Sequence, residues 1–166
     1  STPIKSSAAS DVYKRQVIMI LQLKQLFDID GEIRDFSFEI SPDEINEAQF
    51  SAEFVTPLSV CGQAQNRAGV VTVRFKCTFT LSHVCDRCLK EFDRGYSFEF
   101  SHILVQSANT QNDEYIVCEN NTLDVNELAI SDLLLQLPTK ILCREDCRGL
   151  CYVCGHDLNE GECNCS

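Results

Sequence analysis

"VVTVRFKCTFTLS", residues 70–82, carries the clearest secondary-structure signal in this chain of 166 residues. Apolar side chains recur at every second position of the stretch, with polar or basic side chains between them. Successive side chains of a β-strand point to opposite faces, so the alternation predicts a long antiparallel strand with one buried face. Arg74 and Lys76 fall on the exposed face of this strand, and Cys77 falls on the buried face.

The segments on either side extend the strand into a sheet. "LSVCGQAQ" and the turn "NRAG", residues 58–69, predict the first arm of a hairpin. The alternation resumes in "YSFEFSHILV", residues 96–105, after a connection that contains a CxxC pair. The pair Cys85 and Cys88 is therefore expected at the loop between two long strands.

The remaining segments complete a prediction of secondary structure. Residues 19–32 predict a strand or a short helix, and "IRDFSFEIS", residues 33–41, alternates like a strand. The acidic residues 42–54 suggest an exposed connection, and "EYIVC", residues 114–118, a short edge strand. A helix is predicted at about 124–136, with Asp124 as its cap and Pro138 after its end.

Together these elements predict an α+β fold. We expect a twisted antiparallel sheet or partial β-barrel, a covering helix, and a cysteine-rich zinc-binding C-terminal lobe. Residues 1–18 are polar and aperiodic, and we interpret them as a non-native or disordered extension. Residues 19–142 then form the sheet domain, and residues 143–166 form the cysteine-rich tail.

Composition restricts the possible functions. Hydrophobic residues make up 44% of the chain, which permits a real core, and no run of 18 apolar residues predicts a membrane span. The N-terminal stretch lacks the apolar region of a secretory signal, so we expect a cytoplasmic protein whose thiols stay reduced. The net charge of −11 is unfavourable for polynucleotides, so RNA binding would need a local basic patch.

Eleven cysteines are the main chemical feature of the chain. We interpret Cys61, Cys77 and Cys118 as buried apolar side chains, because each lies in a strand or a short apolar stretch. The other eight match the ligand number of two tetrahedral zinc sites. These predicted zinc ligands are Cys85, Cys88, Cys143, Cys147, Cys151, Cys154, Cys163 and Cys165.

Spacing leaves two ways to group the eight thiols. In one, the last four cysteines bind one metal, while Cys85 and Cys88 join Cys143 and Cys147 on another. In the other, Cys85 and Cys88 share a metal with the second CxxC pair, residues 151–154, and the remaining four are partly free. The sequence does not decide between these arrangements.

Nothing in the sequence predicts an enzyme. Sites closed by four thiolates are structural, whereas catalytic zinc keeps an open position and usually includes histidine or a carboxylate. His156 follows the second CxxC pair and could replace a cysteine as a ligand, but we interpret it as a residue beside the site or facing solvent. We assign no ligand role to His83 or His102. The chain has no glycine-rich phosphate loop and no nucleophile elbow, and no small-molecule site is evident. A thiol-redox or zinc-handling role for Cys85 and Cys88 remains as an alternative, although redox pairs usually open a helix.

Positive charges are few but gather near the cysteines. If the two cysteine groups meet, they form a candidate RNA- or partner-binding region. Its residues are Arg74, Lys76, Arg87, Lys90, Arg94, Lys140, Arg144 and Arg148. An alternative interpretation is that Arg87 and its neighbours offset the net negative charge of a zinc ion bound by four thiolates.

"CDRCLKEF", residues 85–92, and "LPTKILCREDCRGLCYVCGHDLNEGECNC", residues 137–165, resemble the YceD family of metal-binding proteins, also described as large ribosomal RNA subunit accumulation proteins. The resemblance covers nearly everything after Met19. It implies a role in the accumulation or maturation of large-subunit ribosomal RNA, with no enzymatic activity attached.

Three functional hypotheses follow. The first is a non-enzymatic zinc-binding factor acting on large-subunit ribosomal RNA or its assembly intermediates. The second is the thiol-redox or zinc-handling protein. The third is an acidic adaptor for a basic ribosomal protein, which the negative net charge favours.

Overall fold

The computed structural model describes residues 19–45, 50, 52–107 and 114–165 of the chain. Within these ranges the chain forms one six-stranded sheet, one two-stranded sheet and two α-helices. The predicted extension, residues 1–18, lies outside the described residues.

The elements follow the predicted order. In chain order they are β1 (Ile20–Gln22), α1 (Lys24–Asp28), β2 (Ile33–Ile40), β3 (Glu53–Phe54), β4 (Leu58–Arg67), β5 (Val70–Val84), β6 (Glu91–Val105), β7 (Tyr115–Val117), β8 (Thr122–Asp124) and α2 (Val125–Gln136). Residues 19–32, which predicted either a strand or a short helix, contain both, because β1 is followed directly by α1.

The large sheet has the strand order β2-β4-β5-β6-β7, and β3 pairs with β5. Neighbouring strands are antiparallel, except that β7 pairs parallel to β6. β2 and β7 are the two edges of this sheet and do not pair with each other in the described part of the chain. The architecture therefore agrees with the predicted α+β class, but the sheet is open and is not a closed barrel.

The strand predicted from residues 70–82 is β5, which lies in the middle of the large sheet. β5 pairs with β4 along one side and with β6 along the other, and its side chains alternate between buried and accessible as expected. The buried side chains of β5 include Val73, Phe75 and Cys77. We call the side of the sheet that carries them the inner face, and the opposite side the outer face.

Helix α2 contributes to the same core. Its side chains Val125, Ala129 and Leu133 are buried, and together with the inner face they belong to one continuous hydrophobic cluster. The side chain of Asp124 accepts a hydrogen bond from the backbone N–H of Glu127 at 3.1 Å, which is the predicted N-cap. The cap stabilises the helix start because it satisfies a donor that has no partner within the helix.

Two sequence interpretations are wrong. The acidic segment 42–54 is not simply an exposed connection, because Ile45, Phe50 and Phe54 are buried in the core. Cys61 is exposed, and only Cys77 and Cys118 are buried as expected. The pairing of β4 with β5 explains why Cys61 is exposed: it is opposite Lys76, and both side chains lie on the outer face.

Among the described residues, no helix has the length and apolar character to cross a membrane.

Candidate metal centres

Two CxxC turns with the same backbone geometry supply four of the eight thiols. In the first knuckle, residues 85–90, the N–H of Cys85 donates to the carbonyl of Lys90 at 2.9 Å, and the N–H of Leu89 donates to the carbonyl of Cys85 at 3.0 Å. In the second knuckle, residues 151–156, the corresponding bonds measure 2.8 and 2.9 Å. Each turn therefore places two cysteine side chains close together.

The knuckles differ at the residue after the second cysteine. Gly155 has φ of 78° and Leu89 has φ of 61°, so both lie in the left-handed region. Glycine adopts this conformation readily, but a residue with a Cβ atom does so at an energetic cost. The first knuckle thus keeps the same turn although Leu89, and not glycine, occupies its left-handed position.

The first knuckle and the start of the tail form the inner cluster, which consists of Cys85, Cys88, Cys143 and Cys147. Its sulfur atoms all lie within 4.8 Å of one another, and only Cys143 is more than marginally exposed. Cys85 Sγ lies 3.7 Å from Cys147 Sγ, and Cys88 Sγ lies 3.7 Å from Cys143 Sγ. A tetrahedron with Zn–S bonds of about 2.3 Å has edges of about 3.8 Å, so these spacings fit such a site.

The second knuckle and the end of the tail form the tail cluster, which consists of Cys151, Cys154, Cys163 and Cys165. Cys165 Sγ lies 3.2 Å from Cys151 Sγ, 3.1 Å from Cys163 Sγ and 3.6 Å from Cys154 Sγ. Cys154 and Cys165 are exposed, unlike the inner thiols. Both clusters could hold a metal ion, and their composition is the first of the two groupings left open by the sequence.

Hydrogen bonds favour the thiolate form of two cysteines in the inner cluster and one in the tail cluster; in the inner cluster, the side-chain amide of Asn159 lowers the pKa of Cys147. Burial by itself would raise the pKa of Cys85, but donors led by the backbone N–H of Cys88 outweigh it and lower that pKa to about 6. The backbone N–H groups of Cys154 and Val153 lower the pKa of Cys151 to about 6 as well. Thiolate is the form that binds metal, so these donors favour the ligand state.

Two arginines attach the tail to the sheet. Arg87 donates from Nη1 to the carbonyl of Cys147 at 2.8 Å, and Arg94 donates from Nη2 to the carbonyl of Leu142 at 2.6 Å. The backbone N–H of Ile141 donates to the Asp86 carboxylate at 2.7 Å. These contacts hold residues 141–147 beside the first knuckle, which brings the four inner thiols together.

The segment between the two halves of the tail cluster, residues 155–162, packs against the inner cluster. Asn159 donates from Nδ2 to the sulfur of Cys147 at 3.3 Å and accepts at Oδ1 from the backbone N–H of Arg148 at 2.8 Å. Lys90 Nζ lies 2.8 Å from Asp157 Oδ2 and 3.0 Å from Glu160 Oε1. The two clusters therefore share one lobe.

The predicted basic region divides into cations with partners and cations without. Arg87, Lys90 and Arg94 bind the tail as described, and Arg144 donates to Asn159 Oδ1 at 2.8 Å. Among the described residues, the side chains of the other four cations of the predicted set have no hydrogen bond or ion pair. They are Arg74, Lys76, Lys140 and Arg148.

The histidines have environments that the sequence did not reveal. His102 Nε2 lies 2.6 Å from Asp132 Oδ2, which links β6 to α2. His83 is buried, and its Nε2 lies 2.9 Å from the hydroxyl of Tyr96. Both contacts join residues that are distant in the sequence or on paired strands, so spacing alone gives no signal for them. Neither histidine belongs to a thiol cluster.

Comparison with known proteins bears on the half of the chain that contains both clusters. The family model described as "Large ribosomal RNA subunit accumulation protein YceD" matches residues 73–166. The chain is also similar to "Uncharacterized protein YlbN" of Bacillus subtilis (strain 168), with 22% identity over 126 residues that cover 74% of this chain and 72% of that protein. No solved structure matches the chain.

Proposed function

This chain belongs to the YceD family, and on that basis we propose that it is a non-enzymatic, zinc-binding factor that supports the accumulation of large-subunit ribosomal RNA. The observation that carries the proposal is the extent of the family match. Residues 73–166 include most of β5, all of β6 and α2, and all eight clustered cysteines. The part of the chain that matches the family is therefore the part that contains both candidate metal centres.

Zinc is the metal that the donor set favours. Each cluster offers four sulfur atoms and no oxygen or nitrogen ligand, and soft tetrahedral sulfur sites suit zinc. The tail, residues 143–165, has few buried apolar side chains of its own, so metal binding would supply much of its folding free energy. Zinc would thus have a structural role here.

The burial of the inner thiols counts against the thiol-redox alternative. Cys85 is fully buried and Cys88 is 4% exposed, whereas reactive cysteines lie in partly exposed positions. We propose that the protein is a cytoplasmic, reduced and metal-loaded factor that works with ribosomal RNA or its assembly intermediates. The acidic adaptor for a ribosomal protein is the second candidate, and the net charge of −11 is the observation that favours it.

The test is a depletion experiment with complementation in the host cell. We expect the ratio of mature large-subunit RNA to small-subunit RNA to fall, and precursor to change, when the protein is removed. The wild-type chain should restore the ratio, and the C85S/C88S variant should not. An unchanged RNA ratio after full depletion would contradict the proposal. A parallel pull-down distinguishes the candidates, because the adaptor recovers a ribosomal protein even after the RNA is digested.

A further inference from the structure

The outer face of the large sheet carries rows of polar side chains across β4, β5 and β6. One row consists of Gln63, Arg74 and Ser101, and the next consists of Cys61, Lys76 and Glu99. Because side chains alternate along each strand, these six all project from the outer face. The two cations lie two residues apart on the same strand.

The two rows enclose a shallow depression of about 590 Å³. Its floor is the backbone of Gly62, Phe75 and Phe100, whose positions fall between the rows. A Cβ atom at Gly62 would lie 2.3 Å from the carbonyl oxygen of Arg74 and 2.6 Å from the Cβ of Phe75, so β4 and β5 approach closely here and no larger residue fits without a backbone shift. Arg74 and Lys76 border the depression.

Arg74 and Lys76 are available for a ligand, whereas most cations near the clusters are not. Neither side chain has a hydrogen bond or an ion pair among the described residues, and both are exposed. Arg87, Lys90 and Arg94 are already committed to the tail. The cations that remain free on the sheet face are thus the better candidates for contact with a polyanion.

Hydroxyl groups continue the outer face beyond this depression. The next row consists of Ser59, Thr78 and Ser97, and it borders a second depression of about 510 Å³. Hydroxyl, amide and cationic side chains are the usual donors to phosphate oxygens. None of the nine side chains in the three rows is aromatic, so this face lacks the platforms on which bases stack. The chemistry suits the nucleic-acid backbone rather than the bases.

We propose that the outer face at Arg74 and Lys76 contacts the phosphodiester backbone of large-subunit ribosomal RNA, an inference that rests on the function proposed above. The net charge of −11 disfavours a polyanion over most of the surface, which confines the contact to sites with unpartnered cations. Glu99 is the only carboxylate of the three rows within β4, β5 and β6, and Asp35 and Glu39 continue two of the rows on β2, beside Gln63 and Ser59 and away from Arg74 and Lys76. The contact is sequence-independent and orients the RNA on the sheet, and it explains how an acidic protein approaches a polyanion.

The test measures the affinity of the zinc-loaded full chain for transcribed large-subunit ribosomal RNA over a range of salt concentrations. For R74Q/K76Q we expect weaker binding, and the slope of log affinity against log salt should decrease in magnitude by about 2, one for each lost phosphate contact. The matched control is K24Q/R34Q, which removes one exposed lysine and one exposed arginine outside these rows and outside the predicted basic region, and it should keep the wild-type slope. R74K/K76R retains both charges and should bind like the wild type.

Three results would overturn the assignment. The first is that R74Q/K76Q binds RNA with the affinity and salt slope of the wild type. The second is that Y152A, at the exposed tip of the second knuckle, loses RNA binding while R74Q/K76Q keeps it. The third is that the wild type retains a ribosomal protein and no RNA. Unchanged metal content and circular dichroism show that each variant is folded. All three results leave the depletion experiment unaffected, because that experiment measures RNA amounts in the cell. Failure here is therefore distinguishable from failure of the proposed function.

Discussion

Lys90 and Asp157 form an ion pair, with Nζ 2.8 Å from Oδ2, that joins the first knuckle to the segment between the halves of the tail cluster. The Asp157 side chain is only 9% exposed, and the Lys90 ammonium is the main reason that its pKa is lowered. The hydrogen bonds to Asp157 and Glu160 in turn raise the pKa of Lys90. Electrostatic attraction thus attaches one candidate metal centre to the other.

Replacing Lys90 should loosen this attachment. We expect K90M to leave the Asp157 carboxylate without its cation, so that the segment 155–162 opens more often. Amide hydrogen exchange at Leu158, whose N–H donates to the Gly149 carbonyl at 2.9 Å, should become faster. K24M changes an exposed lysine elsewhere and should leave that exchange rate as in the wild type. Equal protection in K90M and the wild type would show that the ion pair does not hold the segment.

Substitutions at Leu89 and Gly155, the left-handed residues of the two knuckles, should change stability in opposite directions. L89G should stabilise the protein by about 1 kcal/mol, because Leu89 is exposed and glycine removes the cost of positive φ. G155A should destabilise it by a similar amount, since a Cβ there meets no atom within 4 Å and only the backbone conformation opposes it. Such changes correspond to shifts of about 2–4 °C in Tm for a chain of this size. Shifts of the same sign for both substitutions would contradict this reasoning.

Metal content should report two sites of unequal accessibility. The wild type should contain two zinc ions per chain, and C88S and C154S should each lose a different one. A chelator should remove the metal of the tail cluster first, because Cys154 and Cys165 are exposed while Cys85, Cys88 and Cys147 are buried. Stopped-flow measurement with a coloured chelator should therefore give two phases, and C154S should lack the fast one. A single phase in the wild type would argue against independent sites.

Acidification should destabilise the fold partly through His83. Burial, followed by the nearby positive charge of Arg94, lowers the pKa of His83 below its usual value of 6.5. The unfolded chain then binds a proton at a higher pH than the native protein does, so stability is lost as the pH falls below about 6.5. We expect urea denaturation to show a smaller loss between neutral and mildly acidic pH for H83Q. Any effect of metal release on stability is common to H83Q and the wild type. Equal losses of unfolding free energy in the two proteins would exclude His83 as a contributor.

The sheet was predictable where the alternation of side chains is regular. β5 and residues 96–105 of β6 follow directly from apolar residues at every second position, whereas the start of β6 at Glu91 was not predicted. The cap of α2 follows from Asp124. The parallel pairing of β7 was not predictable, because nothing in three residues indicates the direction of their neighbour. Cys61 was misplaced because a short apolar stretch does not reveal which face a side chain occupies, and the register opposite Lys76 decides it.

The candidate metal centres were predictable as a set of cysteines but not as a grouping. Spacing identified eight cysteines, while the choice between two groupings depended on how residues 141–147 pack beside the first knuckle. The contacts of Arg87 and Arg94 with tail carbonyls determine that packing, and carbonyl partners carry no sequence signal. For the same reason, the sequence could not separate structural cations from unpartnered ones.

The inner cluster joins parts of the chain that are far apart, since Cys85 and Cys147 are separated by 62 positions. A metal bound there would act as a reversible cross-link that closes a long loop, as a disulfide does in oxidising compartments. By the chain-entropy relation, closing a loop of about 60 residues lowers the free energy of folding by about 4 kcal/mol, because the unfolded chain loses conformational freedom. The sheet and the tail should consequently unfold as one unit while the metal is held, and as two once it is removed.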